Sequence, residues 1–194
     1  MTRQIFILSL LLFFGIGLYA QPKAVGEPRA IAKTDGEATA QLRAAISISP
    51  LLQQMIDDPT GVASEVEALK SFSEYMIFNP VLSPGGDKIV FQVSRGKGMY
   101  VCNADGSGLR SLGAKAENAT WTPDGKYIVV MSTEDDGHVV TKGELITIDV
   151  ATGVRTTLLS SSKYIAFDPV ISPDGTKLTF ENIADGVTYV MDIQ

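Results

Sequence analysis

Histidine, cysteine and tryptophan each occur once in this chain of 194 residues, as His138, Cys102 and Trp121. A single cysteine forms no internal disulfide, and Cys102, mid-strand beside Val101, reads as a buried, inert thiol. A single histidine falls short of the two or three imidazoles that a His-based metal site uses. It also falls short of a Ser-His-Asp triad, since no Gly-x-Ser-x-Gly elbow accompanies it. His138 therefore reads as an exposed loop residue. Basic side chains are in deficit, with 16 Lys and Arg against 22 Asp and Glu and a net charge of −6. That balance repels phosphate backbones and argues against nucleic acid as a partner.

Long apolar runs are absent beyond the amino terminus. Residues 1–20 carry Arg3, a nearly unbroken hydrophobic stretch over 5–14, and a small residue, Ala20, before Gln21-Pro22. This pattern predicts a secretory signal peptide removed after Ala20, because the stretch is short of the ~20 residues that span a bilayer. The residue directly after the cleavage point is Gln21 and not cysteine, so no lipoprotein anchor is expected. The mature chain is expected in the periplasm or outside the cell, and losing Arg3 takes its net charge to −7. Residues 21–40, with Pro22, Pro28, Gly26, Gly36 and many Ala, Lys and Glu, read as a flexible leader.

Residues 41–72 read as a short helical segment. Leu42, Ile46, Leu51, Leu52, Met55 and Ile56 recur at helical spacing, and Asp57-Asp58-Pro59-Thr60-Gly61 stops the run. A second stripe, Val62, Val66, Leu69 and Phe72, predicts another short helix. A competing reading makes 44–49 a strand that pairs the chain's beginning with its end.

What is abundant is one phrase, written three times: Ser83-Pro84-Gly85-Gly86, Thr122-Pro123-Asp124-Gly125 and Ser172-Pro173-Asp174-Gly175. Proline presets φ, Asp tolerates the bridge region and glycine takes the left-handed conformation that closes a hairpin. Gly85 replaces Asp in the first copy, which predicts a looser turn. The copies align further, Phe78-Asn79-Pro80-Val81-Leu82 over Phe167-Asp168-Pro169-Val170-Ile171, with Asn118-Ala119-Thr120-Trp121 between them. Apolar runs follow each turn, then third strands around Tyr100, Ile146 and Tyr189, and fourth strands over 109–112 and 154–158. Eleven strands result, and the third unit lacks its fourth. Fold class is thus mainly β: a partial β-propeller of about three four-stranded blades over 73–194, the last incomplete, preceded by a short helical segment.

The phrase Ser/Thr-Pro-Asp-Gly-Lys, followed by an apolar strand and by Tyr-Val-x-Asn/Asp-x-Asp-Gly, resembles the β-propeller repeat of the periplasmic TolB family. It is similar also to the propellers that cap prolyl-oligopeptidase-type peptidases. The resemblance covers residues 72–194 and implies an exported, non-catalytic module that binds a protein in the cell envelope. The alternative is a truncated or partner-completed propeller of a secreted peptidase or polysaccharide-processing enzyme lacking its catalytic part. No catalytic residue, metal or cofactor is expected. Glu134-Asp135-Asp136 reads as a solvated hairpin tip, since it lacks the spaced ligands of a calcium loop. Asn118-Ala119-Thr120 fits a glycosylation sequon, but Asn118 shares its repeat position with Asn79 and Asp168. That recurrence points to a structural acceptor or to a channel-lining, partner-binding row made of Asn79, Asn118 and Asp168. Trp121 is expected in the core between blades with its indole N–H satisfied, and Arg110 and Arg155 as ordinary edge charges. Three blades leave two flanks to cover. The candidates are the 41–72 helices, a second copy of the chain completing the propeller as a homodimer, or a missing C-terminal part, with helix expected at one end and an intermolecular cover at the other.

Overall fold

The computed structural model describes residues 21–33, 50–61 and 67–194. Among them stand three four-stranded antiparallel sheets. The first is built from β2 (Ile77–Leu82), β3 (Lys88–Val93), β4 (Gly98–Asn103) and β5 (Arg110–Gly113) in that order. The second runs β6 (Glu117–Trp121), β7 (Tyr127–Asp135), β8 (Val140–Asp149) and β9 (Arg155–Leu159). In the third, β10 (Ala166–Ile171), β11 (Lys177–Asn182) and β12 (Val187–Ile193) are completed by β1 (Ala24–Lys33) at the outer edge. These are the blades of a partial propeller, with β2, β6 and β10 as the inner strands.

The fourth strand of the last blade corrects two expectations. The leader reading of 21–40 fails for 24–33, and the blade is not incomplete. Composition favoured disorder there, but β12 offers an unpaired edge, and β1 takes it in the register Ala24↔Ile193 to Lys33↔Val187. Pro28 is accommodated because the strand is outermost and bulged between Val25 and Arg29, where a missing N–H breaks no ladder. Gly26, at φ +78°, supplies the left-handed step in that bulge. The chain's beginning does pair with its end, through 24–33; residues 44–49 lie outside the described residues, as do 1–20.

Alternation along the strands separates two faces of each sheet. On the first sheet, Ile89, Phe91 and Val93 turn toward the helical segment, while Val90 turns toward the second sheet. The helical segment is α1 (Pro50–Asp57) and a 3-10 helix at Glu67–Phe72. Leu51, Leu52 and Met55 of α1 join Leu69 and Phe72 against that face, with Phe72 edge-on to Phe91 and Tyr100. One flank is therefore covered by helix. Ile128, Val130 and Trp121 of the second sheet pack back on the first, and Val129, Met131 and Leu145 pack forward on Leu178, Phe180 and Met191 of the third.

The three turns close alike. Gly86, Gly125 and Gly175 donate to the carbonyls of Ser83, Thr122 and Ser172, each at 2.9 Å. In the second and third turns the hydroxyl of Thr122 or Ser172 donates to Asp124 or Asp174 at 2.6 Å. The first turn is not looser, because Asp87 replaces the missing Asp and accepts from Ser83 Oγ at 2.7 Å.

Candidate functional site

A bulge interrupts the inner strand of every blade, at Phe78/Val81, Glu117/Thr120 and Phe167/Val170. Each bulge holds one residue in the left-handed region: Asn79 at φ 49°, Asn118 at 47° and Asp168 at 46°. Only glycine, Asn and Asp enter that region at low cost, which explains the recurrence of short polar side chains here. The bulges aim these side chains along the inner wall, from blade to blade. Asn79 Nδ2 donates to Asn118 Oδ1 at 2.6 Å, and Asn118 Nδ2 donates to Asp168 Oδ1. All three residues singled out in the sequence are thus brought into one continuous row.

The row has a direction, and Asp168 sets it. An ionised carboxylate only accepts, so Asn118 must present its amide N–H₂ to Asp168 and its carbonyl to Asn79. Asn79 then donates twice, the second time to Gln92 Oε1 at 2.8 Å. The same Gln92 oxygen crosses to the next blade and accepts the backbone N–H of Asn118 at 3.2 Å. Gln92 was not singled out in the sequence. Its position opposite Phe78, directly after the apolar run Ile89-Val90-Phe91, was the available sign. Among the described residues, no donor reaches Asn79 Oδ1 or Asp168 Oδ2.

Junctions beside the row are closed by further hydrogen bonds between the sheets. Trp121 is 7% exposed, sits between the first and second sheets, and donates its indole N–H to Val81 O at 3.1 Å. Ile171 N donates to Thr120 Oγ1 at 3.3 Å, tying the third sheet to the second. Arg155 corrects its reading as an ordinary edge charge. From β9 it donates Nε to Leu112 O at 3.2 Å and Nη1 to Ala114 O at 3.0 Å, clamping the loop that leaves the first sheet.

The acidic hairpin tip is a local structure. Asp136 Oδ1 accepts from the backbone N–H of His138 and of Val139, each at 2.9 Å, and these bonds hold the Asp136 carboxyl below the ordinary carboxylate range. His138 is exposed, outside any cluster. Among the described residues, no group of three or more His, Cys, Asp or Glu could hold a metal ion. Cys102 is 1% exposed; burial and, after it, the charge of Asp105 push its thiol up to about 12. Among the described residues no helix is long and apolar enough to cross a membrane.

No protein-family model matches the chain, and no curated protein matches it either. Solved structures do. A putative TolB from Agrobacterium tumefaciens aligns at 24% identity over 61% of this chain and 42% of its own, with a TM-score of 0.47. TolB from Acinetobacter baumannii aligns at 18% identity over 59% and 31%, TM-score 0.42. The β-propeller domain of the Trilobed protease from Pyrococcus furiosus aligns at 18% identity over 61% and 39%, TM-score 0.47. The chain spans less than half the length of each. They include TolB proteins, the family that the repeat resembles.

Proposed function

We propose that this chain is an exported, non-catalytic propeller module that docks a protein partner in the cell envelope on its inner-strand wall. The observation carrying this reading is the row Asn79–Asn118–Asp168, a directional line of polar groups spanning all three blades. Outer strands supply pairing edges, and the flank of the first sheet is filled by α1 and the 3-10 helix. The inner wall keeps side-chain hydrogen-bonding capacity at Asn79 Oδ1 and Asp168 Oδ2. Polar groups with unspent capacity in a concave wall are what a binding surface needs for orientation and specificity. The secretory pattern of residues 1–20 supports the envelope address.

The test is site-specific photo-crosslinking in cells. A crosslinker at Phe78, on the inner strand, is expected to capture a protein partner, and one at Thr156, on the outer strand β9, is not. Fractionation is expected to place the chain in the envelope with Gln21 as its first residue. Equal capture from both positions, or a cytoplasmic chain retaining residues 1–20, would overturn the reading. Turnover of a peptide or glycan substrate by the purified chain would overturn the non-catalytic part.

A further inference from the structure

The forward flank of the third blade departs from the pattern of the other two. In the first sheet the forward positions of the second and third strands are Val90 with Val101 and Gln92 with Met99. In the second they are Val129 with Thr147 and Met131 with Leu145. The matching positions of the third are Thr179 with Val190 and Glu181 with Thr188. Leu178 and Phe180 face the second sheet, so alternation turns Thr179 and Glu181 outward, onto the flank that no described residue covers. Propeller blades bury apolar flanks, whereas here three of the four positions are polar and only Val190 is apolar.

The polarity is placed, because the first blade serves as an internal template. Gln92 lies opposite Phe78, and Glu181 lies opposite Phe167 in the same register. Asp168 likewise stands where Asn79 stands. In the first blade the pair Asn79 and Gln92 is the junction to the neighbouring polypeptide: Gln92 Oε1 accepts the backbone N–H of Asn118, and Asn79 bonds its side chain. In the third blade both amides have become carboxylates: Glu181 faces outward, and Asp168 reaches back to Asn118 with one oxygen. Asp168 Oδ1 is satisfied by Asn118, which leaves Oδ2 and the whole Glu181 carboxylate without a protein donor among the described residues. Farther out on the same flank the charges are already paired, Asp192 with both Lys177 and Arg29. The surplus negative charge is confined to the inner end.

We propose that Asp168 and Glu181 receive a cationic side chain, an arginine or lysine, from an extended segment of the partner polypeptide. This rests on the docking role above and names its chemistry. The Glu181 carboxylate and the second oxygen of Asp168 are together complementary to a guanidinium, whose forked donors engage two acceptors, or to an ammonium. The backbone of the segment follows the course that β6 takes beside the first blade.

The probe is a capped Gly-Arg-Gly-Arg-Gly peptide titrated into isotopically labelled chain 21–194 and followed by amide chemical shifts. Shifts centred on Asp168, Glu181 and Thr188 are expected. The double substitution Asp168→Asn with Glu181→Gln should weaken binding at least tenfold with a melting temperature within about 2 °C of wild type. Folding is expected to survive, because Asn already holds the same φ at residues 79 and 118. Neutralising the hairpin tip, Glu134→Gln with Asp135→Asn, should leave the affinity unchanged. Three results overturn the proposal: no shift at millimolar peptide, unchanged affinity in the double variant, or shifts centred on the hairpin tip. Inner-strand crosslinking that persists in the double variant would leave the docking surface standing and reject its basic ligand.

Discussion

Pro123 lies against Gly175. A Cβ placed on Gly175 would stand 3.3 Å from Pro123 Cδ, and one on Gly125 would stand 3.9 Å from Pro84 Cδ. Consecutive turns therefore stack, proline of one blade on glycine of the next, and the repeated phrase is selected by packing between blades as well as by turn geometry. Gly86, which begins the series, has nothing within 4 Å of such an atom, although its φ of +73° equals that of Gly175.

This pair separates conformational strain from contact. Gly86→Ala and Gly175→Ala both force an L residue into the left-handed region, at about 1–2 kcal/mol. Gly175→Ala must also displace Pro123, and is expected to cost up to ~1 kcal/mol more. Urea unfolding of the two variants measures the difference, and equal midpoints would remove the stacking contribution.

The helical cover on the first sheet makes a second expectation. Met55 is 1% exposed and Phe72 6%. Met55→Ala should cost about 2–5 kcal/mol and Phe72→Ala about 3–5 kcal/mol, by lost burial and cavity formation. Because α1 shields Phe91 and Ile89, Met55→Ala should also raise the binding of a hydrophobic dye below the unfolding transition. A loss of stability with no dye response would mean that the sheet face stays covered without α1.

Acid sensitivity resides in the turns. The Ser172 hydroxyl, followed by the N–H and hydroxyl of Thr176, lowers the Asp174 carboxyl to about 2. Lys88 and Ser83 lower Asp87 in the same direction. A carboxylate whose folded value lies below its unfolded value of about 3.9 stabilises the fold above that value. The contribution disappears as pH falls from about 4 toward 2. Titration followed by carboxyl carbon chemical shifts should place the Asp174 midpoint near pH 2, and Asp174→Asn should flatten stability against pH in that window. A midpoint at pH 4 would remove the turn from the acid response.

Features written in local chemistry were legible in the sequence. Turn residues at three places, alternation on either side of them and Trp121 on an interior strand each have a cause within a few residues. The recurrence of Asn79, Asn118 and Asp168 was visible too, although the left-handed bulge behind it was not. Features caused by an unpaired edge elsewhere were hidden. The strand over 24–33 exists because β12 lacks a neighbour, and its own composition argues for disorder. Arg155 reads as a surface charge until Leu112 and Ala114 bring their carbonyls to it. Asp87 takes over from Gly85 two positions late, a substitution that no alignment by position would detect.

The pairing of β1 with β12 also fixes an order of events. A strand made near the start has no partner until the final seven residues of β12 arrive. Lys23 and Gln194 exchange both backbone hydrogen bonds, so closing the third sheet means bringing together segments far apart in the sequence. That loop is long, and long-range closure is the slow step in a β topology. Until β12 is available β1 has no ladder to join, and the third sheet stays open at its outer edge.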